Sequence, residues 1–263
     1  ELYAHQAAEL VETSRLYREA DRTVHDREEF LSTAAHELKT PLTTVKGYSQ
    51  LLWQQVQRDP LDQARLRLLV EHLGQQVGRM ELLVADLLDI SRIQQGHLVL
   101  RPEEVDLVAL AREVYERFVD APERRLEHRL TFEAPEDLRG HWDPVRLDQI
   151  LTNLLTNALK YSPSGGPVWL RIARDEDEAV VEVADRGVGM SREERARIFQ
   201  PFSRAESASR AISGVGLGLY ISAQIVRRHG GSIGVESEPG VGSIFTVRLP
   251  LGEQLRPPEG PGA

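Results

Sequence analysis

From Tyr3 onward every seventh residue is apolar: Tyr3, Leu10, Tyr17, Val24, Leu31, Leu38, Val45 and Leu52. A seven-residue period held this long predicts one continuous helix with a supercoiled seam. The d-type positions between them (Gln6, Thr13, Ala20, Arg27, Ala34, Pro41, Tyr48) are mediocre hydrophobes or polar. Residues 1–25 therefore pair weakly by themselves, which suits either a signal-carrying linker or a helix that merely frays. The pattern breaks at Gln57-Arg58-Asp59-Pro60, where Asp59 is placed as an N-cap and Pro60 as the first residue of a second helix. That helix carries the stripe Leu66, Val70, Leu73, Val77, Met80, Val84 and Leu87, in alternating steps of four and three. Two long helices joined by a short turn make an antiparallel hairpin with one apolar face. Pairing with a second copy into a four-helix bundle would cover that face.

Beyond Gly96 the period changes. His97–Leu100 reads as a strand, Leu107–Val119 as an amphipathic helix, Leu130–Phe132 as a strand and Pro144–Tyr161 as a helix. Strands follow at Val168–Ala173 and Ala179–Ala184. A Gly-rich stretch then leads to a helix at about Leu217–Arg228 and to strands at Ser232–Glu236 and Ser243–Leu249. Helices mixed with a mostly antiparallel sheet predict an α+β chain whose second part is an α/β sandwich. The expected division is a helical linker over 1–25, a dimerisation hairpin over 26–95, a catalytic domain over 96–252 and a disordered tail over 253–263. No solenoid-type repeat is present.

Composition narrows the function classes. The 263 residues carry a net charge of −9, from 32 Lys+Arg against 41 Asp+Glu. That balance argues against nucleic acid and against contact with anionic lipid. With no cysteine there are no disulfides or thiolate metal sites, in keeping with a reducing, cytoplasmic setting. No apolar run approaches the roughly 20 residues needed to span a bilayer. The chain starts at Glu1 rather than Met, so an upstream part is expected.

Two centres of chemistry stand out. With Leu31 and Leu38 at a positions, His36 falls at f, furthest from the seam, where its imidazole is solvated and reachable. Glu37 can accept a hydrogen bond from one ring nitrogen while the other attacks, and Pro41 interrupts the helical hydrogen-bond ladder. An exposed His beside a Glu is by itself ordinary, and the other seven histidines have no comparable surroundings. The second centre lies on the helix Pro144–Tyr161, where Asn153, Asn157, Lys160 and Tyr161 share one face. Polar groups on an otherwise apolar helix are costly unless they bind something, and amide oxygens suit Mg²⁺. Asp185 ends a strand and enters the turn Arg186-Gly187-Val188-Gly189; a carboxylate there can accept a hydrogen bond from the amine of adenine. Gly214-Val215-Gly216-Leu217-Gly218-Leu219 opens a helix, a placement suited to phosphate oxygens. A dinucleotide fold would need a strand directly before these glycines, but Glu206–Ser213 is small and polar, more like a lid.

His36-Glu37-Leu38-Lys39-Thr40-Pro41-Leu42 resembles the H box of the sensor histidine kinases. The stretches at Asn153–Tyr161, Asp185–Gly189 and Gly214–Leu219 resemble the N, G1 and G2 boxes of their ATP-binding (Bergerat) domain, and Phe199–Arg204 resembles the F box. The resemblance spans residues 26 to about 250 with the boxes in the family's order. It implies that His36 is the phosphoacceptor, that Glu37 orients it, and that Thr40 positions a water for dephosphorylation of the partner. It also implies that Asn157 ligates Mg²⁺ with Asn153 in support, and that Asp185 reads adenine beside Gly187 and Gly189. Lys160, Tyr161 and Arg204 would then lie near the phosphates, with Gly214, Gly216, Leu217, Gly218 and Leu219. The implied cofactors are ATP and Mg²⁺. The implied partners are a second copy of the chain, the receiver domain of a response regulator, and a sensor domain upstream in the same full-length chain. Other branches of this ATPase fold hydrolyse ATP with a Glu on the N-box helix, and Asp148–Tyr161 contains none, which favours transfer to a side chain. Three rival readings are a nucleotide-binding scaffold, an ATP-driven clamp and a protein-serine kinase on the same fold.

Overall fold

The computed structural model describes residues 32–35, 37–57, 62–119, 128–203 and 216–252. The expectations for residues 1–25, His36, Asp59, Pro60, Arg204, Gly214 and the 253–263 tail lie outside the described residues. The chain divides into two compact units between Leu87 and Leu88.

The first unit is helical. Helix α1 comprises residues 32–35 and 37–56, and α2 is Gln63–Gln94. Helix α1 runs on through Pro41, where Thr43 Oγ1 donates to the Lys39 carbonyl at 2.8 Å and Thr44 Oγ1 to the Thr40 carbonyl at 3.1 Å. These side chains add hydrogen bonds beside the bond that proline cannot make. At the start of α2 the capping contact comes from Asp62, whose Oδ1 accepts from the Arg65 amide at 3.0 Å.

The heptad positions Ala34, Leu38, Pro41, Val45, Tyr48, Leu52 and Gln55 are all buried or half-buried, and Tyr48 stacks on His72 of α2 with ring centroids 5.5 Å apart. On α2 the sheltered positions are Leu66, Leu69, Leu73, Met80, Leu83 and Leu87, whereas Val70, Val77 and Val84 stay exposed. The stripe predicted for α2 therefore merges two seams: one is covered within the chain and one is open. Leu42, Trp53 and Val56 of α1 are likewise exposed.

The second unit adds β1 (Glu103–Asp106), α3 (Leu107–Val119), β2 (His128–Glu133), β3 (Arg139–Trp142), α4 (Pro144–Lys160), β4 (Gly166–Asp175), β5 (Glu178–Asp185), α5 (Arg192–Arg197), α6 (Gly218–Arg228), β6 (Ser232–Glu238) and β7 (Gly242–Pro250). Five strands form one sheet in the order β2-β4-β5-β7-β6, with β2 parallel to β4 and the remaining pairs antiparallel. Strands β1 and β3 form a separate antiparallel pair.

Alternate residues Val168, Leu170, Ile172, Val181, Val183, Phe245, Val247 and Leu249 turn inward and are buried, as the two-residue period of a strand requires. They meet the apolar faces of α4 and α6, including Ile150, Leu154, Leu155, Ile221 and Ile225, while α3 packs on α4 and β2. Helix α3 starts where Asp106 Oδ1 accepts from the Val108 and Ala109 amides at 3.0 and 3.2 Å. The strand expected at His97–Leu100 does not form. Those residues have no ladder partner, and the carbonyl of Leu98 accepts from the Arg228 side chain at 2.8 Å instead.

Helix α4 begins with an N-cap, Asp143, followed by Pro144. Asp143 Oδ1 accepts from the Arg146 amide at 3.1 Å and Oδ2 from the Arg101 amide at 2.9 Å. The Asp143 amide donates to His229 Nε2 at 3.0 Å, which leaves Nδ1–H to donate to the Ile225 carbonyl at 2.9 Å. Burial pushes the His229 pKa below its ordinary value of 6.5, since a charged ring there would face an N–H donor in a desolvated site. With the folded value lowered, the stability contributed by neutral His229 is complete above about pH 6.5 and is lost as pH falls below it, because the unfolded chain takes up the proton first. Asp185, described below, acts in the opposite sense. Melting the protein from pH 7.5 to 5.5 beside a His229→Gln variant isolates the histidine: the acid-induced loss should be smaller in the variant, with wild-type slope below about 1.4 kcal/mol per pH unit.

Candidate nucleotide site

The polar residues of α4 are organised along one side. Asn153 Nδ2 donates to Ser222 Oγ of α6 at 2.9 Å, and Asn157 Nδ2 donates to Asn153 Oδ1 at 3.4 Å. Asn157 thus spends its amine on Asn153 and keeps its amide oxygen as the acceptor for the pocket. Gly218 sits so close that an added Cβ would lie 2.1 Å from Asn153 Oδ1, so a side chain here would have to push the Asn153 amide aside. The Lys160 ammonium lies 4.9 Å from the centre of the Tyr161 ring.

Asp185 closes β5 and is 6% exposed. Gly187 N–H donates to its Oδ1 at 2.7 Å, and the Ser243 backbone donates as well. Burial outweighs these two bonds and raises its pKa from 3.8 to about 6. The turn after Asp185 is held from both sides. Val188 N–H donates to the Tyr161 carbonyl at 3.0 Å, and Gly240 N–H donates to the Val188 carbonyl at 2.7 Å. Met190 N–H donates to Ser237 Oγ at 2.8 Å, and Ser237 Oγ donates in turn to the Gly242 carbonyl at 2.8 Å. At Gly187 a Cβ would stand 2.1 Å from the Tyr161 carbonyl oxygen. At Gly189, where φ is +64°, it would stand 1.8 Å from that of Glu238.

Asn157, Tyr161, Asp185, Val188, Gly189, Met190, Ile198, Leu219, Ser243 and Phe245 line one open cleft. Of the expected site residues, Asn157, Tyr161, Asp185, Gly189 and Leu219 meet there. Asn153, Gly187 and Gly218 support them from behind, and Gly216 (φ +76°) and buried Leu217 lead into α6. Glu37, half-buried, and Thr40, exposed, lie on α1 in the first unit. The apolar wall of Val188, Met190, Ile198 and Phe245, together with Ser237 and Ser243, goes beyond the expectation. Its readable signal is Gly242-Ser243-Ile244-Phe245 inside a strand and the capping box Ser191–Glu194 that opens α5. Phe199 packs edge-on against Phe245 at 6.4 Å, and Phe202 adopts a left-handed φ of 60°, a conformation costly for a non-glycine residue. Among the described residues no cluster of His, Cys, Asp or Glu could hold a metal ion, so a cation here would rely on amide, water and phosphate oxygens.

Residues 142–253 match the family model for histidine kinase-, DNA gyrase B-, and HSP90-like ATPases, and residues 26–96 match the His Kinase A (phospho-acceptor) domain. The catalytic domain of histidine kinase ThkA shares 30% identity with a TM-score of 0.51, over 58% of this chain and 99% of that domain. The chain belongs to the sensor histidine kinases of two-component systems. ThkA in complex with response regulator protein TrrA gives a TM-score of 0.63 at 25% identity, covering 87% of this kinase and 63% of the other chain. The alginate biosynthesis sensor protein KinB of Pseudomonas aeruginosa is 36% identical over 231 residues, 86% of this kinase but 37% of KinB. The kinase chain thus spans little more than a third of that relative's length.

Two outcomes follow from the pocket. ADP affinity measured calorimetrically should fall about tenfold per pH unit below about pH 6, as Asp185 takes up a proton and loses its full acceptor strength. Asp185→Asn should bind weakly at pH 7.5 and lack this added slope, the shared remainder being the nucleotide's own titration. Gly187→Ala should lower the melting stability by about 1–3 kcal/mol through overpacking against the Tyr161 carbonyl and weaken ADP binding with it.

Proposed function

We propose that this chain is the engine of a two-component sensor: it phosphorylates His36 from ATP and passes the phosphoryl group to an aspartate of a response regulator. The observation that carries the reading is one cleft in which a buried carboxylate, Asp185, faces the amide of Asn157 and the start of α6. This is a purine reader set against a phosphate end, on a chain that also bears the His36-Glu37-x-x-Thr40-Pro41 string.

In this reading ATP brings the phosphoryl group and Mg²⁺ neutralises its charge. The fit for a hard cation is the acceptor oxygen that Asn157 keeps after bonding Asn153, one protein ligand of the kind Mg²⁺ takes alongside water and phosphate. Lys160, Tyr161 and Arg204 add charge and hydrogen bonds near the phosphates, beside Gly214, Gly216, Leu217, Gly218 and Leu219. A ring nitrogen of His36 forms the new N–P bond as the bond to ADP breaks, and Glu37 holds the other ring nitrogen. The work is positioning and charge neutralisation, as in phosphoryl transfer generally. The acid on α4, Asp148, pairs with Arg117 and accepts from Thr152, so it is engaged elsewhere rather than serving as a base for water. That arrangement favours transfer over hydrolysis.

The open seam Val70, Val77 and Val84 supports a homodimer through a four-helix bundle, since a second copy supplies the matching face. The ThkA–TrrA complex supports a receiver domain as the recipient of the phosphoryl group, with Thr40 serving the reverse, dephosphorylating activity. No helix among the described residues is long and apolar enough to cross a membrane, in keeping with a cytoplasmic engine driven by a sensor elsewhere in the full-length protein.

With γ-labelled ATP, His36→Gln should take up no label while binding ADP as the wild type does. Asn157→Ala should bind nucleotide at least tenfold more weakly in Mg²⁺ and lose labelling. Label on the His36→Gln protein would overturn the assignment.

A further inference from the structure

The end of α2 belongs structurally to the catalytic unit. Asp89 is 6% exposed; its Oδ2 accepts from Arg146 Nη1 at 2.6 Å and from Gln149 Nε2 at 3.0 Å, and Gln149 Oε1 accepts from the same Nη1 at 2.7 Å. Ile90 is fully buried. The helix then stops in a left-handed turn at Gly96 (φ +74°), with Gly96 N–H donating to the Ile93 carbonyl at 3.0 Å and His97 N–H to the Arg92 carbonyl at 2.7 Å, the paired bonds of a Schellman end. Arg228 of α6 donates through Nη1 to the Leu98 carbonyl at 2.8 Å and through Nη2 to the Gly96 carbonyl at 3.1 Å. Leu98 is buried, and Arg101 N–H donates to Asp143 Oδ2. At Asp89, Gly96, Leu98 and Arg101 the chain is fastened to α4, to its N-cap Asp143 or to α6, so the loop after α2 is a poor joint.

The clasp residues have a second property. Arg146, Gln149, Asn153 and Asn157 follow one another at steps of three, four and four, which places them in one row along α4. The row begins at the ion pair with Asp89 and ends at the amide in the nucleotide cleft. We propose that the joint between the phosphoacceptor hairpin and the catalytic unit lies inside helix α2, just before Leu88, and that Asp89 is a positioning residue. Through Arg146 and Gln149 it ties the tail of α2 to the helix that carries Asn153 and Asn157. A tilt or turn of this tail then acts on the nucleotide-holding helix directly, with no slack loop between them. The kinetic consequence rests on the phosphotransfer reading above; the position of the joint does not.

Hydrogen exchange on the full 263-residue chain tests the joint. The amides of Gly96, His97 and Arg101 should be protected to the level of β1, and Arg228→Ala should expose Gly96 and His97 at least tenfold. Exchange of these amides at unstructured-chain rates in the unmodified protein would overturn the proposal. The positioning role is read in labelling kinetics. Asp89→Asn and the milder Gln149→Leu should each lower kcat for His36 labelling at least threefold, with ADP affinity within twofold of wild type, and Asp89→Glu should restore at least half the rate. An unchanged kcat, or a loss of rate matched by an equal loss of ADP binding, would reduce the clasp to a structural tie. Label persisting on His36→Gln would sink the phosphotransfer reading and leave the exchange result standing.

Discussion

A carboxylate kept away from water governs the layout of the catalytic unit. Asp185 has two backbone donors, Gly187 and Ser243, and still titrates near 6, because burial costs more than those bonds return. To hold an acid so poised, the turn that follows it must be rigid. Rigidity comes from the carbonyl of Tyr161, the C-cap of α4, on one side and from the β6–β7 hairpin, through Ser237 and Gly240, on the other. Those demands exclude a side chain at Gly187 and Gly189, and they bind the sheet's centre to the end of α4. Asp185 and the amide of Asn157 are thereby placed by the same backbone bonds.

Helix α4 is the second organiser. Its start is fixed by Asp143, a residue that also receives Arg101 and joins His229 at the end of α6. Its polar row meets Asp89 at one end and the nucleotide cleft at the other. Its apolar face supplies the core against β4 and β5. One helix thus carries packing, the polar lining of the cleft and the fastening of α2, which explains why three different rules govern its three faces.

Much of this was legible beforehand, for physical reasons that can be named. Helices α3 and α4 declare themselves by a 3.6-residue apolar period bounded by Asp106 and by Asp143-Pro144, and their observed bounds match the expected ones to within a residue. The central strands β4, β5 and β7 alternate clearly because one face is buried. Strands β1 and β3 were not foreseen, since four residues carry too little pattern, and α5 announced itself only by its capping box. His97–Leu100 has the apolar character of a strand, yet a distant arginine, Arg228, takes the Leu98 carbonyl. In the site, Asp185 and Asn157 were readable as polar residues out of place. Ser237 and Ser243 were not, because a serine in a strand is unremarkable until the sheet brings the two within 3.0 Å. The hairpin's stripe reads in the sequence as a single face. Which of its valines face inward depends on how α2 rotates against α1, and that is set by contacts such as Tyr48 on His72.

Those open valines have a thermodynamic consequence. A hairpin whose core is shared with a second copy has a stability set by protomer concentration as well as by temperature, whereas a unit with its own closed core does not. Diluting the protein would separate the two, melting the helical part first and leaving the nucleotide-binding part intact. In the proposed dimer, the amount of chain a cell makes thus sets how much of it is assembled.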